Sequence, residues 1–269
     1  MDPRLAANRA NWDDRVAIHV DSQFYDVAGW LRDEPGLSLE EHLALGELTG
    51  RSLVHLQCHF GMDTLRLARA GAIVTGVDFS PAAIREATSL ARRAALSAVS
   101  SFVCCDVYDA PESLARQRFD VVYVSLGSLG WLPDIDAWGN VVASLLSPGG
   151  QLYLHDVHPF AMCLDDTGER VDSHYFEQRD APWIVDEPST YTDGGVLEST
   201  LNYQWNHSLA EIVDALLARG LVLDELTEHE WTEFAQFAWL TETSRGRFTI
   251  PEGRPRIPLS FTLLAHGPG

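Results

Sequence analysis

Residues 53–80, LVHLQCHFGMDTLRLARAGAIVTGVDFS, constrain the fold most, because two short apolar strands bracket a helix and the second strand ends on an acid. Leu53 to Leu56 reads as a strand and Gln57 to Gly61 as a tight turn. A helix then carries Leu65, Leu67 and Ala68 inward, and Ile73 to Val77 forms a second strand running into Asp78. A right-handed crossover sets the turn after the first strand beside the acid after the second, at the carboxyl edge of a parallel sheet. Asp78 follows the turn by about 20 residues, the spacing of a carboxylate that takes both hydroxyls of a ribose. Helix capping accounts for part of the same pattern, since Ser80-Pro81 reads as an N-cap followed by a first-turn proline.

The turn discriminates between ligands. A dinucleotide site needs G-x-G-x-x-G so that bare backbone and a helix N-terminus can approach a pyrophosphate. Here Gln57-Cys58-His59-Phe60-Gly61 keeps a single glycine, which favours a cofactor without phosphates. With GVDFSP at 76–81, the chain resembles the class I S-adenosylmethionine-dependent methyltransferases, and FYDVAGW, LQCHFGMDTL, WLPD and RIPLSFTLLA resemble a bacterial small-molecule subgroup of them. The first motif departs from the family pattern: His55 stands where an acid is usual, and Gln57 and His59 where glycines are usual. The resemblance implies S-adenosyl-L-methionine as cofactor. Its site would draw on Tyr25, Gln57, Cys58, His59, Gly61, Asp78, Phe79, Ser80, Asp106, Val107 and Ser125. A metal reading of His55, Cys58 and His59 fails on alternation, because strand geometry turns His55 and Cys58 to opposite faces.

Further along, a helix from Pro81 to about Ala95 precedes a third strand, Ser101 to Cys105, ending at Asp106, which as a strand-end acid reads either as an adenine ligand or as a cap. Phe119 to Val124 is a continuous apolar run suited to a strand buried on both faces. It leads through Ser125 and Trp131 to a helix from Asp134 to Leu146 and a fifth strand, Gln151 to His155. Residues 159–206 change character, with aromatic residues alternating with polar ones between Pro and Gly turns, and read as a hairpin insertion forming a lid. A helix from Leu209 to Arg219 and strands Leu221 to Leu226 and Leu259 to Leu264 close the chain, the last of them antiparallel on the family's pattern. Residues 1–50 read as a helical cap, with Trp12, Val16, Phe24, Val27 and Trp30 as an apolar face broken by the turn Asp33-Glu34-Pro35-Gly36, and with His19 and Tyr25 as lid contacts. The expected fold is α/β: a Rossmann-like open sheet, mostly parallel with an antiparallel last strand, helices on both faces, an N-terminal helical segment and a β-hairpin lid. Two regions follow, a cap at 1–50 and a catalytic domain at 51–269.

Charge narrows the partners. The net charge is −20 and all 19 basic residues are arginine, which disfavours nucleic acid and anionic membrane as partners and rules out Schiff-base chemistry. No apolar run reaches membrane-span length, and the four cysteines lack zinc spacing, so a cytoplasmic protein without a metal is expected. The acceptor is then a small molecule, and the oligomeric state stays open. Methyl transfer is an in-line displacement that positioning alone can promote. For a general base the candidates are His158, Asp156 and His207, with Glu198 and His229 behind them, and His158 is favoured because Pro159 fixes its chain exit. Arg170, Arg179, Arg245, Arg247, Arg254 and Arg256 could bind an acceptor anion or pair with surface acids. Rival functions are non-transfer chemistry on the same fold, such as a cyclisation, and a nicotinamide-dependent oxidoreductase.

Overall fold

Apolar runs of strand length and helices of 3.6-residue period alternate from residue 52 to residue 157 of a computed structural model, which describes residues 2–33, 36–244 and 246–269. Glu34 and Pro35 of the expected turn, and Arg245, lie outside the described residues. The βαβ unit forms as read: β1 (Ser52–Leu56), α4 (Met62–Arg69) and β2 (Ile73–Asp78). After it come α5 (Pro81–Arg93), β3 (Ser100–Cys104), the single turn α6 (Ala110–Ser113), β4 (Phe119–Val124), α7 (Ile135–Leu145) and β5 (Leu146–Val157). The strands join in one sheet of order β3-β2-β1-β4-β5-β12-β8, with β8 at Val222–His229 and β12 at Ser260–His266. β1 to β5 run parallel, and β12 lies antiparallel between β5 and β8. That agrees with the expected Rossmann-like topology.

Central strand β4 is sealed on both faces, with Val121, Val122 and Val124 fully buried and Tyr123 nearly so. One flank packs on α7 and α8 (Leu209–Leu217) through Trp138, Val142, Leu145 and Ile212. Each such side chain contributes about 1.5–3 kcal/mol by leaving water. The sheet's strand order reverses between β1 and β4, so a crevice opens at their carboxyl ends.

Two parts differ from expectation. Of the expected apolar face Val16, Val27 and Trp30 are buried and Phe24 is exposed, but α1 (Pro3–Asp21) also buries a face of polar groups, Asn8, Asn11, Arg15 and His19, that its sequence pattern did not suggest. Asn8 and Asn11 satisfy backbone groups of the insertion, and Arg15 and His19 bond the Thr190 hydroxyl. Asn8 exchanges two hydrogen bonds with the backbone of Tyr203, at 2.8 and 2.7 Å, and Asn11 donates to the Ser199 carbonyl at 2.7 Å. The insertion does contain an antiparallel pair, β6 (Trp183–Asp186) with β7 (Leu201–Gln204). A small three-stranded sheet of β9 (Trp231–Thr232), β10 (Thr241–Ser244) and β11 (Arg247–Thr249) fills what reads in the sequence as a loop. Among the described residues no helix is long and apolar enough to cross a membrane.

The remaining N-terminal helices are α2 (Val27–Asp33) and α3 (Leu39–Leu45), and a buried ion pair locks α3 to the sheet. Glu41 receives both Nη atoms of Arg66 at 2.8 Å and the Tyr123 hydroxyl at 2.7 Å, while completing a capping box with Ser38. Truncating the acid leaves a mostly buried guanidinium with only the half-exposed Asp63 at 3.1 Å as counter-charge, and strips the buried Tyr123 hydroxyl of its acceptor. Glu41→Ala should lower unfolding stability by about 3–5 kcal/mol in urea titration. A loss below about 1 kcal/mol, the scale of an exposed pair, would contradict it.

Candidate active site

The carboxyl ends of β1, β2, β3 and β4 floor a cleft holding about 960 Å³ of empty space, its open mouth included. That lies within the roughly 300–1,000 Å³ of small-molecule sites. Asp78 ends β2 there with 7% of its surface exposed, and two backbone groups hold it: the His59 N–H donates to Oδ2 at 2.8 Å and the Ser80 N–H to Oδ1 at 2.9 Å. Each oxygen keeps a lone pair, so the carboxylate can still take a vicinal diol. Burial raises its pKa to about 6, against the pull of those same N–H groups.

The glycine-poor turn keeps a glycine-like backbone. Gln57 and His59 sit in the left-handed region at φ 57° and 51°, ahead of Gly61 at φ 82°. For side-chain-bearing residues this costs on the order of 1–2 kcal/mol each. Hydrogen bonds from Cys58 N–H to the Val77 carbonyl, from His59 N–H to Asp78 and from Gln57 Nε2 to the Ser128 carbonyl, all between 2.8 and 2.9 Å, hold it in place. Gln57 Oε1 and His59 Nε2 stay buried without a partner at the cleft, polar atoms that a ligand can satisfy. At the far end, Phe79 and Val107 give apolar walls, and Asp106, held by the Tyr108 N–H at 3.1 Å, gives an acceptor whose pKa burial raises.

Opposite the floor, α1 and the insertion supply an aromatic wall. Trp12 meets His59 and Trp131 edge-on, each at 5.1 Å between ring centres, and the hydroxyls of Tyr25 and Tyr191 lie 2.6 Å apart. His19 stands behind them, its Nε2 2.8 Å from Thr190 Oγ1, and burial lowers its pKa to about 3, leaving a neutral ring.

Ten of the eleven cofactor residues inferred from sequence line the cleft: Tyr25, Gln57, Cys58, His59, Gly61, Asp78, Phe79, Asp106, Val107 and Ser125. Ser80 does not. It is fully buried, capping α5 through the Ala83 N–H and bonding Asp13 at 2.5 Å. The three residues considered for a base also lie outside the cleft lining. Asp156 ends inside β5 and is saturated by the backbone N–H groups of Gly127, Ser128, Leu129 and Val157. His158 has Glu228 on Nε2 at 2.8 Å and the Phe160 N–H on Nδ1 at 3.0 Å. His207 donates to the Leu132 carbonyl at 2.8 Å and faces Glu177, while Ser208 caps α8. Glu198 is exposed on the insertion, and His229 bonds Thr262 at 2.8 Å beneath Trp231. Of the loop arginines, Arg179, Arg247, Arg254 and Arg256 pair with Asp134, Glu40, Glu169 and Glu230, and Arg170 lies on the surface.

Sequence reasoning missed Asp63, Cys105 and Tyr191 in the lining. Asp63 was legible as the first-turn acid of α4, two residues past the turn. Tyr191 carried no signal, because a lid residue's direction depends on how the insertion folds.

Residues 54–150 match the family model described as "Methyltransferase domain". By that match the stretch is similar to a methyltransferase domain. The cofactor of such a domain is S-adenosylmethionine. A ubiquinone biosynthesis O-methyltransferase of Coxiella burnetii is 32% identical over 113 residues, 41% of this chain and 45% of that protein. The chain thus spans about half the length of the curated relatives it matches. Among solved structures, a putative S-adenosylmethionine-dependent methyltransferase from Listeria monocytogenes superposes with TM-score 0.58 at 18% identity, covering 86% of this chain and 97% of that one. The [4+2]-cyclase SpnF superposes with TM-score 0.52 at 16% identity, covering 92% and 94%. At these identities the structures share the fold.

Diol hydroxyls donate to the ionised form of Asp78, so binding is coupled to its deprotonation. Affinity for S-adenosylhomocysteine should be flat above pH 6 and weaken by up to about tenfold per unit below it, because the carboxylate must then lose a proton first. Calorimetry across pH 5 to 8 checks this. Asp78→Asn should bind at least about tenfold more weakly and lose that slope. An unchanged slope in the variant would place the titration elsewhere.

Proposed function

We propose that the protein transfers a methyl group from S-adenosylmethionine to a small-molecule acceptor. The observation that carries the reading is the buried Asp78 carboxylate, its free lone pairs facing a cleft whose turn is pinned in a left-handed backbone. In this reading Asp78 holds the ribose, Asp106, Phe79 and Val107 the adenine, and Gln57, His59 and Asp63 the methionine end. When bound, the cofactor supplies a methyl group on a cationic sulfur, and acids along the cleft favour that charge. Residues 1–50 act as a cap, and 51–269 as the catalytic domain with its lid at 159–206. The four cysteines are all free thiols, which suits the reducing cytoplasm.

The acceptor side favours positioning over general-base catalysis. Burial keeps His19 and His59 neutral, and enclosure beside Tyr191 pushes the Tyr25 phenol well above its ordinary value, so these groups donate and orient. Asp156, His158 and His207 serve instead to shape the loops after β4 and β5. Aromatic side chains of α1 and of the insertion line the acceptor end, which fits a metabolite better than a chain end of a macromolecule. The Coxiella relative is named for oxygen methylation, but the likeness to it covers 41% of this chain, so the acceptor atom is not carried over.

Incubation with methyl-labelled S-adenosylmethionine and a bacterial metabolite extract should move label into a low-mass product. Label that stays on the cofactor while it remains bound would instead support a cyclase-like use of the fold. Tyr191→Phe should lower turnover several-fold to about tenfold, with homocysteine-cofactor affinity unchanged, because it removes an orienting hydroxyl only. A changed affinity with unchanged turnover would place Tyr191 on the cofactor.

A further inference from the structure

The cleft is electrically divided. Asp63, Asp78 and Asp106 lie along the part assigned to the cofactor, whereas the acceptor part is walled by Leu5, Trp12, Tyr25, Trp131, Leu132 and Tyr191, with no acid among them. Directly behind that wall is a cation. Arg15 is 7% exposed, and its guanidinium carbon lies 5.2 Å from the Trp12 ring centre and 5.6 Å from that of Trp131. Its protein partners are neutral: Nε donates to Asn11 Oδ1 at 2.7 Å and Nη1 to Thr190 Oγ1 at 3.1 Å.

Both acids adjacent to it in sequence are committed elsewhere. Asp13 accepts from Ser80 Oγ and the Ala82 N–H, and Asp14 from the Glu198 and Ser199 N–H groups. No carboxylate among the described residues pairs with Arg15, although this chain carries 39 acids. The largely buried Arg66, by contrast, is matched by Glu41. A buried guanidinium without a counter-charge is costly, and it persists where a ligand supplies the charge. Thr190 Oγ1 marks the place of an oxygen atom, since it sits on both Arg15 Nη1 and His19 Nε2.

We propose that this is an acceptor subsite for a carboxylate: the methyl acceptor presents a planar or apolar body to Trp12 and Trp131 and a carboxylate to Arg15. A guanidinium fork matches a carboxylate in charge and shape. A single cation with neutral neighbours suits one negative charge better than the two of a phosphate monoester. The inference rests on the methyl-transfer reading and specifies its substrate class.

The test uses the full chain saturated with S-adenosylhomocysteine and titrated with benzoate and 3-phenylpropanoate, and with their neutral amides, at constant ionic strength. Tryptophan fluorescence and calorimetry report binding. The acids should bind about tenfold or more tighter than the amides, and Arg15→Met should abolish the preference while binding S-adenosylhomocysteine as the wild type does. Arg15→Lys, which keeps the charge and loses the fork, should retain part of it. Equal affinity of acid and amide in the wild type, or binding of neither, overturns the subsite, and so does a preference that survives in Arg15→Met. The wild-type comparison decides even when a variant fails to fold. Failure of the wild type to bind S-adenosylhomocysteine removes the methyl-transfer reading and this one with it, whereas good binding without acid preference removes this one alone.

Discussion

Two buried carboxylates at strand ends organise the whole carboxyl edge of the sheet. Asp78 at the end of β2 gathers the N–H groups of His59 and Ser80, tying the turn after β1 to the start of α5. Asp156 near the end of β5 gathers three consecutive N–H groups of the loop after β4, at Gly127, Ser128 and Leu129. Loop backbone at a sheet edge has donors and no strand partner, and an unpaired buried donor costs about 1–3 kcal/mol, so a single acid that collects several fixes the loop's path. The two acids differ in what is left over. Asp78 keeps lone pairs and faces the cleft, whereas Asp156 is saturated and lies outside it.

His59 joins the cofactor side to the acceptor side. A glycine at that position would adopt the left-handed turn without strain but would offer no side chain. Here the ring reaches across and packs against Trp12, His19, Tyr25 and Phe60, with ring centres between 4.5 and 5.8 Å. The strain of a non-glycine residue is offset by packing that a glycine could not provide. The same residue therefore sets the cradle through its N–H on Asp78 and supports the acceptor wall through its ring.

The βαβ core was legible because its signals are local: apolar runs of strand length, a helix of clear period and a Ser-Pro cap, which Ser80 makes to the Ala83 N–H at 3.0 Å. β4 was read at Phe119–Val124, as found. The placement of Asp78 and Asp106 at strand ends beside the cleft was legible for the same reason, since strand ends are fixed by periodicity. What failed was direction. Asp156 and His158 stand at a strand end as Asp78 does, and nothing in their neighbours tells that backbone donors and Glu228 consume them. α1 was misread because Asn8, Asn11, Arg15 and His19 share a helical face that looks like a solvated one. Their partners, backbone groups of Tyr203 and Ser199 and the Thr190 hydroxyl, lie about 170 to 195 residues away, which no local pattern encodes.

That polar face of α1 also explains how the lid holds together. A two-stranded hairpin is marginal in water by itself, and β6 with β7 makes only one ladder. Asn8 completes it by pairing with the Tyr203 backbone much as a neighbouring strand would, and Asn11 extends the pairing to Ser199. Further along the same face, Arg15 and His19 fasten Thr190, which sets the adjacent Tyr191 against Tyr25. Helix and hairpin are thus one unit joined by hydrogen bonds that need both partners. Because the sequence between them builds the sheet, bringing helix and hairpin together costs less loop-closure entropy once the intervening sheet is in place. The acceptor wall depends on the cradle, which in turn depends on Asp78.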